Sequence, residues 1–176
     1  MRRLMLLRHA KSSWDHMDLD DVDRPLAPRG RAAAPLLGRY ISHENLQPDL
    51  VLCSSASRTR QTWELVSAEW DRSDKARLPR FEIRPSLYLA GYAEMLSMIQ
   101  RIDGDIVNVM IIGHNPGMSQ LAMHLVAQGD PRGLKEMSKK FPTAALAVIQ
   151  FSAESWSSIK PGQGKLESFV RPKDLT

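Results

Sequence analysis

The chain has 176 residues, 43% hydrophobic and 25% charged, with a formal charge of +4. This composition excludes a disordered chain, and the length suits one domain spanning residues 1–176. The single cysteine, Cys53, excludes an intrachain disulfide framework and suits a reducing compartment. No stretch approaches the ~20 apolar residues of a membrane span. Arg2 and Arg3 precede an apolar run, but Arg8 cuts it short of the ~7–15 residues of a signal-peptide core, so a cytoplasmic location is expected. Basic residues are scattered and aromatics make up only 6%, which argues against a nucleic-acid partner.

Leu4-Met5-Leu6-Leu7 reads as a buried strand that ends abruptly in Arg8-His9. Residues 12–24 are polar and acidic and read as a loop. A helix is predicted from Pro28 through Ile41, with Pro35 as a possible kink. Leu50-Val51-Leu52-Cys53 reads as a second strand, followed by short polar residues of the helix-capping kind and a helix opening at Arg58 that carries Trp63, Val66 and Trp70. A charged connection (Asp71 to Arg80) leads to a short strand at Phe81-Glu82-Ile83. A helix is predicted over Ala93–Ile102, with Met95 and Met98 as core filler. The clearest strand, Val107–Ile112, ends in Gly113-His114. A helix over Met118–Ala127, a loop at Gln128–Pro131, a strand over Ala144–Phe151 and an antiparallel strand near Lys165–Val170 complete the chain. Alternating strands and helices predict an α/β fold: three layers, α/β/α, around a mostly parallel central sheet.

In such a sheet the groups just past the strands' carboxyl ends face one crevice. Arg8-His9, Ser54 through Arg58, and Gly113-His114 would all open into it. Phosphoryl transfer needs in-line attack and neutralised equatorial oxygens. Arg8 and Arg58 suit the second need, because a guanidinium binds phosphate oxygens in bidentate fashion and stays charged. A neutral imidazole, His9, suits the first and forms a phosphohistidine that water then hydrolyses. The neighbouring arginines should hold His9 neutral. His114 adds a hydrogen bond to the phosphoryl group, and amides at the helix starts after Ser57 and Pro116 add anion contacts.

Leu7-Arg8-His9-Ala10 resembles the Arg-His-Gly signature of the histidine phosphatase (phosphoglycerate mutase-like) superfamily. Ser54-x-x-x-Arg58-x-x-Gln61-Thr62 resembles its second phosphate-binding segment, and Gly113-His114-Asn115 its second histidine. The short length and the Arg8 to Trp14 and Asp23 to Leu26 segments resemble the small SixA-type branch, whose named activity is protein phosphohistidine dephosphorylation. The resemblance implies a phosphoglycerate mutase-like fold, a His9 nucleophile, a phosphate pocket of Arg8, Arg58 and His114, and neither metal nor cofactor. The implied partner is a phosphorylated protein, a histidine phosphotransfer domain or phosphocarrier, with a small phosphate ester or a phospho-binding module of little turnover as alternatives. The sequence does not speak to oligomeric state. Two departures stand out: Ala10 replaces the glycine, and no carboxylate is an obvious general acid, the candidates by order being Asp21, Asp23 and Glu94.

Other readings are weaker. His16, His43 and His124 lack partners of this kind. Arg24 suits either a phosphate or a surface salt bridge. Cys53 and Arg58 stand one residue short of a Cys-x5-Arg loop, and burial should raise the thiol pKa, so Cys53 reads as core. No histidine pair has zinc-ligand spacing.

Overall fold

Leu4, Met5, Leu6 and Leu7 are each fully buried, which requires a strand covered on both faces. The structure, a computed structural model, describes residues 1–70 and 78–176, so most of the charged connection lies outside the described residues. In β1 (Arg2–Arg8), Leu4 and Leu6 enter one hydrophobic cluster with Met95, Ile99, Met118 and Leu121. Met5 and Leu7, pointing the other way as strand alternation demands, enter a second with Leu37, Ile41 and Val66. The first cluster draws on α3 (Tyr92–Ile99) and α4 (Gly117–Leu125), the second on α1 (Pro28–His43) and α2 (Ser57–Ser67). The expected three layers follow.

Among the described residues the sheet has seven strands. They are β1, β2 (Leu50–Ser54), β3 (Arg80–Arg84), β4 (Asn108–Gly113), β5 (Val126–Gly129), β6 (Leu146–Phe151) and β7 (Gly164–Val170), in the order β3-β2-β4-β1-β6-β7-β5. β6 runs against the other six, so the sheet is mostly parallel.

Some local expectations need correction. The helix predicted to Ala127 stops at Leu125, and Val126–Gly129 form the edge strand β5 where the end of that helix and the start of a loop were expected. A further helix, α5 (Pro131–Lys139), follows; Asp130 caps it by accepting from the Gly133 N–H at 2.6 Å, and Pro131 stands at its first position. α1 runs through Pro35 without a break. Trp70 lies beyond the end of α2, yet is buried, with its ring N–H donating to the Gly38 carbonyl at 3.0 Å. The strand predicted from Ala144 begins at Leu146; Ala144 is left-handed (φ 59°), outside regular strand geometry.

Register places the chemistry. Arg8 lies opposite Gly113 and Cys53 opposite Ile112, so β1, β4 and β2 end together. β6 starts at that same end, Leu146 facing Leu7, and β7 finishes there, Val170 facing Leu146. The first turn of α1 presses on the segment just past His9: a Cβ on Gly30 would stand 2.2 Å from the Lys11 carbonyl oxygen. Gly30→Ala is therefore expected to cost about 1–3 kcal/mol of stability by overpacking, read by urea unfolding. Gly104→Ala, where nothing lies within 4 Å, is expected to stay within about 0.5 kcal/mol of the parent. Equal effects would contradict the close approach.

Candidate active site

His9 follows the last residue of β1, and its backbone N–H donates to the Gly113 carbonyl at 3.2 Å. Its Nδ1 lies 2.8 Å from the Ala10 carbonyl oxygen. A carbonyl only accepts, so Nδ1 carries the proton and Nε2 of the neutral ring keeps its lone pair. Burial lowers the His9 pKa to about 3, with His114, Arg58 and Arg8 adding to the fall. The expectation of a neutral ring stands, but desolvation outranks the arginines as its cause.

The neighbouring backbone explains why alanine is tolerated at position 10. Ala10 is not left-handed, and its methyl is buried. Its N–H donates to Thr62 Oγ1 at 3.0 Å, and the Thr62 hydroxyl donates to the Arg58 carbonyl at 2.6 Å. The end of β1 is thus tied to the start of α2. From the other side, the Ala144 N–H reaches the carbonyls of both Arg8 and His9, at 3.1 and 3.0 Å. That contact uses the left-handed Ala144 that the sequence did not reveal.

The four residues singled out from sequence come together. The rings of His9 and His114 are 5.3 Å apart between centroids. Arg8 donates from Nη1 to the Phe141 carbonyl at 3.0 Å, while its Nε is buried without a partner. Arg58 donates from Nη1 to the Asp21 carbonyl (2.7 Å) and from Nη2 to Asp21 Oδ2 (3.1 Å), and its Nε is likewise unpartnered. His114 places Nε2 2.8 Å from Ser54 Oγ, with Nδ1 buried and unpartnered. Burial, then Arg58, lowers its pKa to about 4, so this ring is neutral too. Among the described residues the buried Ser54 hydroxyl has no other acceptor, so it donates to Nε2 and Nδ1 is the protonated nitrogen. Arg8 Nε, Arg58 Nε and His114 Nδ1 are then three buried donors from three elements. Such a set suits the oxygens of a phosphoryl group.

The carboxylates behave differently from the sequence candidates for an acid. Asp21, in a short 3-10 turn (Asp21–Asp23), accepts from the Tyr88 hydroxyl and pairs with Arg24 (3.0 Å) and Arg58. These bonds, Tyr88 first, lower its pKa to about 2. It is a fixed anion and not a proton donor. Asp23 is exposed, and among the described residues its carboxylate has no hydrogen bond or ion pair. Glu94 lines a cleft with Arg84, Ser86 and Arg101 that includes none of the four site residues. Tyr88, which also meets the His114 ring edge-on at 5.5 Å, is a site residue that sequence reasoning missed. Arg24 is buried beneath Trp14 (3.5 Å) and also holds Ser12 Oγ and the Ser13 carbonyl, so it braces the loop. Burial raises the Cys53 thiol to about 12, leaving it a core residue. His16, His43 and His124 are exposed.

With this arrangement in view, comparison with known proteins is decisive. The sequence profile of the histidine phosphatase superfamily (branch 1) matches residues 4–82. An uncharacterized protein of Mycobacterium tuberculosis is 32% identical over 169 residues, covering 95% of this chain and 100% of its own. The chain belongs to the histidine phosphatase superfamily. It has the phosphoglycerate mutase-like fold, and the family match together with the structures below supports phosphatase activity. Within the superfamily it goes with the SixA-type branch. A structure from Nakamurella multipartitia, provisionally assigned as the phosphohistidine phosphatase SixA, matches with TM-score 0.81 and 27% identity over 97% of this chain and 96% of that one. A similarly assigned Agrobacterium tumefaciens structure matches with TM-score 0.78 and 27% identity over 97% and 99%.

The Ser54–His114 bond yields a prediction. Ser54→Ala should lower kcat on p-nitrophenyl phosphate on the order of 10²-fold, the scale of losing one oxyanion donor. In 15N NMR the His114 ring should change from Nδ1-protonated to a mixture of tautomers. An unchanged tautomer would show that Ser54 does not orient this ring.

Proposed function

We propose that the protein removes phosphate from phosphohistidine carried by another protein, through two in-line transfers at His9 and without a metal. The observation that carries this reading is the ionised, fully engaged carboxylate of Asp21. Among the described residues no carboxylate other than Asp21 touches the four site residues, so the substrate must supply a good leaving group. An alkoxide has one atom to protonate, the one that departs. A phosphorylated imidazole takes its proton on the distal nitrogen, which can face solvent, so a neutral ring leaves unaided.

In the first transfer the Nε2 lone pair of His9 forms the new N–P bond as the substrate's N–P bond breaks, its electron pair going to the departing imidazole. His9 becomes a phosphorylated imidazolium, whose Nδ1–H stays on the Ala10 carbonyl. In the second, water attacks phosphorus, the Nε2–P bond breaks with its pair returning to His9, and the water proton passes to solvent. Arg8, Arg58 and His114 donate to the phosphoryl oxygens throughout.

A protein substrate is further supported by the loop after His9, which exposes Trp14, Met17 and Leu19 together. Exposed large apolar side chains on one loop suit macromolecular contact. The provisional assignments of the Nakamurella and Agrobacterium proteins support the same substrate class.

The test compares three substrates with matched enzyme: a peptide bearing phosphohistidine, p-nitrophenyl phosphate and a sugar phosphate. The phosphohistidine peptide should exceed the sugar phosphate in kcat/KM by about 10²-fold or more, since a positioned acid is worth ~10²–10⁴-fold to an ester. His9→Ala should release no phosphate from any of them, and EDTA should change nothing. Comparable rates on the sugar phosphate would favour the ester-hydrolase reading. EDTA inhibition reversed by a divalent cation would overturn the metal-free one.

A further inference from the structure

Beside the phosphate donors, at the end of the sheet where β6 starts and β7 stops, lies a second cleft of about 690 Å³. Ala33, Leu36 and Pro142 contribute an apolar lining, and six of the lining residues are basic against one acidic, Glu136. Lys139 and Arg171 are occupied, pairing with Glu136 at 3.5 and 2.6 Å. Lys11, Arg29, Lys140 and Lys173 have no ion pair among the described residues. Four uncommitted cations therefore surround one apolar hollow.

The cleft is joined to the candidate site by short chain connections. Lys11 stands two residues beyond His9, and its carbonyl accepts the Ala27 N–H at 2.8 Å, fixing it against the entry to α1. Lys140 adjoins Phe141, whose carbonyl takes both Arg8 Nη1 (3.0 Å) and Asn115 Nδ2 (2.9 Å). The opposite flank has the opposite charge. There the exposed turn containing Asp20, Asp21 and Asp23 is held against Arg58 of α2 and Tyr88 beyond β3. The phosphoryl site thus has cations on the β6–β7 side and carboxylates on the β2–β3 side.

We propose that this cleft docks an acidic segment with an apolar centre, next to the phosphorylated histidine of the partner protein. The proposal rests on the phosphohistidine reading above. Carboxylates of the segment meet Lys11, Arg29, Lys140 and Lys173, and its apolar side chains cover Ala33, Leu36 and Pro142. The acidic turn repels a partner bound the other way round, so charge sets orientation as well as encounter rate. A nucleic acid fits less well. Among the described residues no aromatic side chain lines the cleft to stack a base, and Glu136 sits in its wall.

The experiment uses two synthetic peptides with a central phosphohistidine, one with glutamates on a flank and the other with glutamines in the same places. It compares the parent enzyme with an Arg29→Glu, Lys173→Glu double variant, both positions exposed and outside the phosphate site. The parent should favour the glutamate peptide about tenfold, mainly through KM, and lose the preference at high salt. The double variant should show no preference while its kcat/KM on p-nitrophenyl phosphate is unchanged. Fluorescence anisotropy with the unphosphorylated glutamate peptide reads docking without turnover and should weaken in the double variant by a similar factor. Docking without hydrolysis of either phosphopeptide would sink the phosphohistidine reading and leave the cleft standing. Hydrolysis of both with equal KM and equal anisotropy binding would overturn the cleft. Cleft-dependent binding of inorganic polyphosphate or a single-stranded oligonucleotide tighter than the glutamate peptide would also overturn it, making the occupant a different polyanion.

Discussion

The bond on which the site turns is the one from His9 Nδ1 to the Ala10 carbonyl, at 2.8 Å. It decides which ring nitrogen is basic, and so which atom is able to attack phosphorus. Around it the backbone is fixed from three directions: Gly113 pairs with the His9 N–H, Thr62 takes the Ala10 N–H, and Ala144 reaches the Arg8 and His9 carbonyls. β4, α2 and the approach to β6 thereby meet at one short segment. The burial that completes this enclosure also lowers the His9 pKa to about 3, so the nucleophile proposed for the site needs no base to activate it.

A second constraint comes from charge. Two guanidiniums share one crevice with two neutral imidazoles, and their mutual repulsion calls for a counterion. Asp21 supplies it, bonded to Arg58, Arg24 and Tyr88 at once. The same bonds that orient Arg58 remove Asp21 from proton transfer. Orientation of the anion clamp and absence of an acid are thus two results of one network. The substrate proposed for the site is the kind that tolerates that absence.

Much of this was legible in the chain because buried strands write plainly. Leu4 to Leu7, Leu50 to Cys53 and Val109 to Ile112 are unbroken apolar runs, and Arg8-His9 and, after Gly113, His114 stand out as the polar residues that end two of them. What was not legible depended on distant partners. Several aspartates crowd the loop after His9 with nothing local to distinguish them. Asp21 pairs locally with Arg24, but its two site partners are distant: Tyr88, 67 positions away, and Arg58, 37 away. Ser54 matched a motif, but its bond to His114 spans 60 positions. β5 is four residues at a sheet edge and too short for a period to show. α5 is a different case: Asp130-Pro131 is a recognisable helix start, and the missed helix reflects an unread cap.

The central claim is that His9 attacks through Nε2 because Nδ1 is held by a carbonyl. It is tested most directly by trapping the phosphorylated enzyme, unfolding it in base, and assigning the phosphorylated nitrogen by 31P–15N NMR. The account predicts phosphate on Nε2 of His9. Phosphate on Nδ1, or on His114, would contradict it.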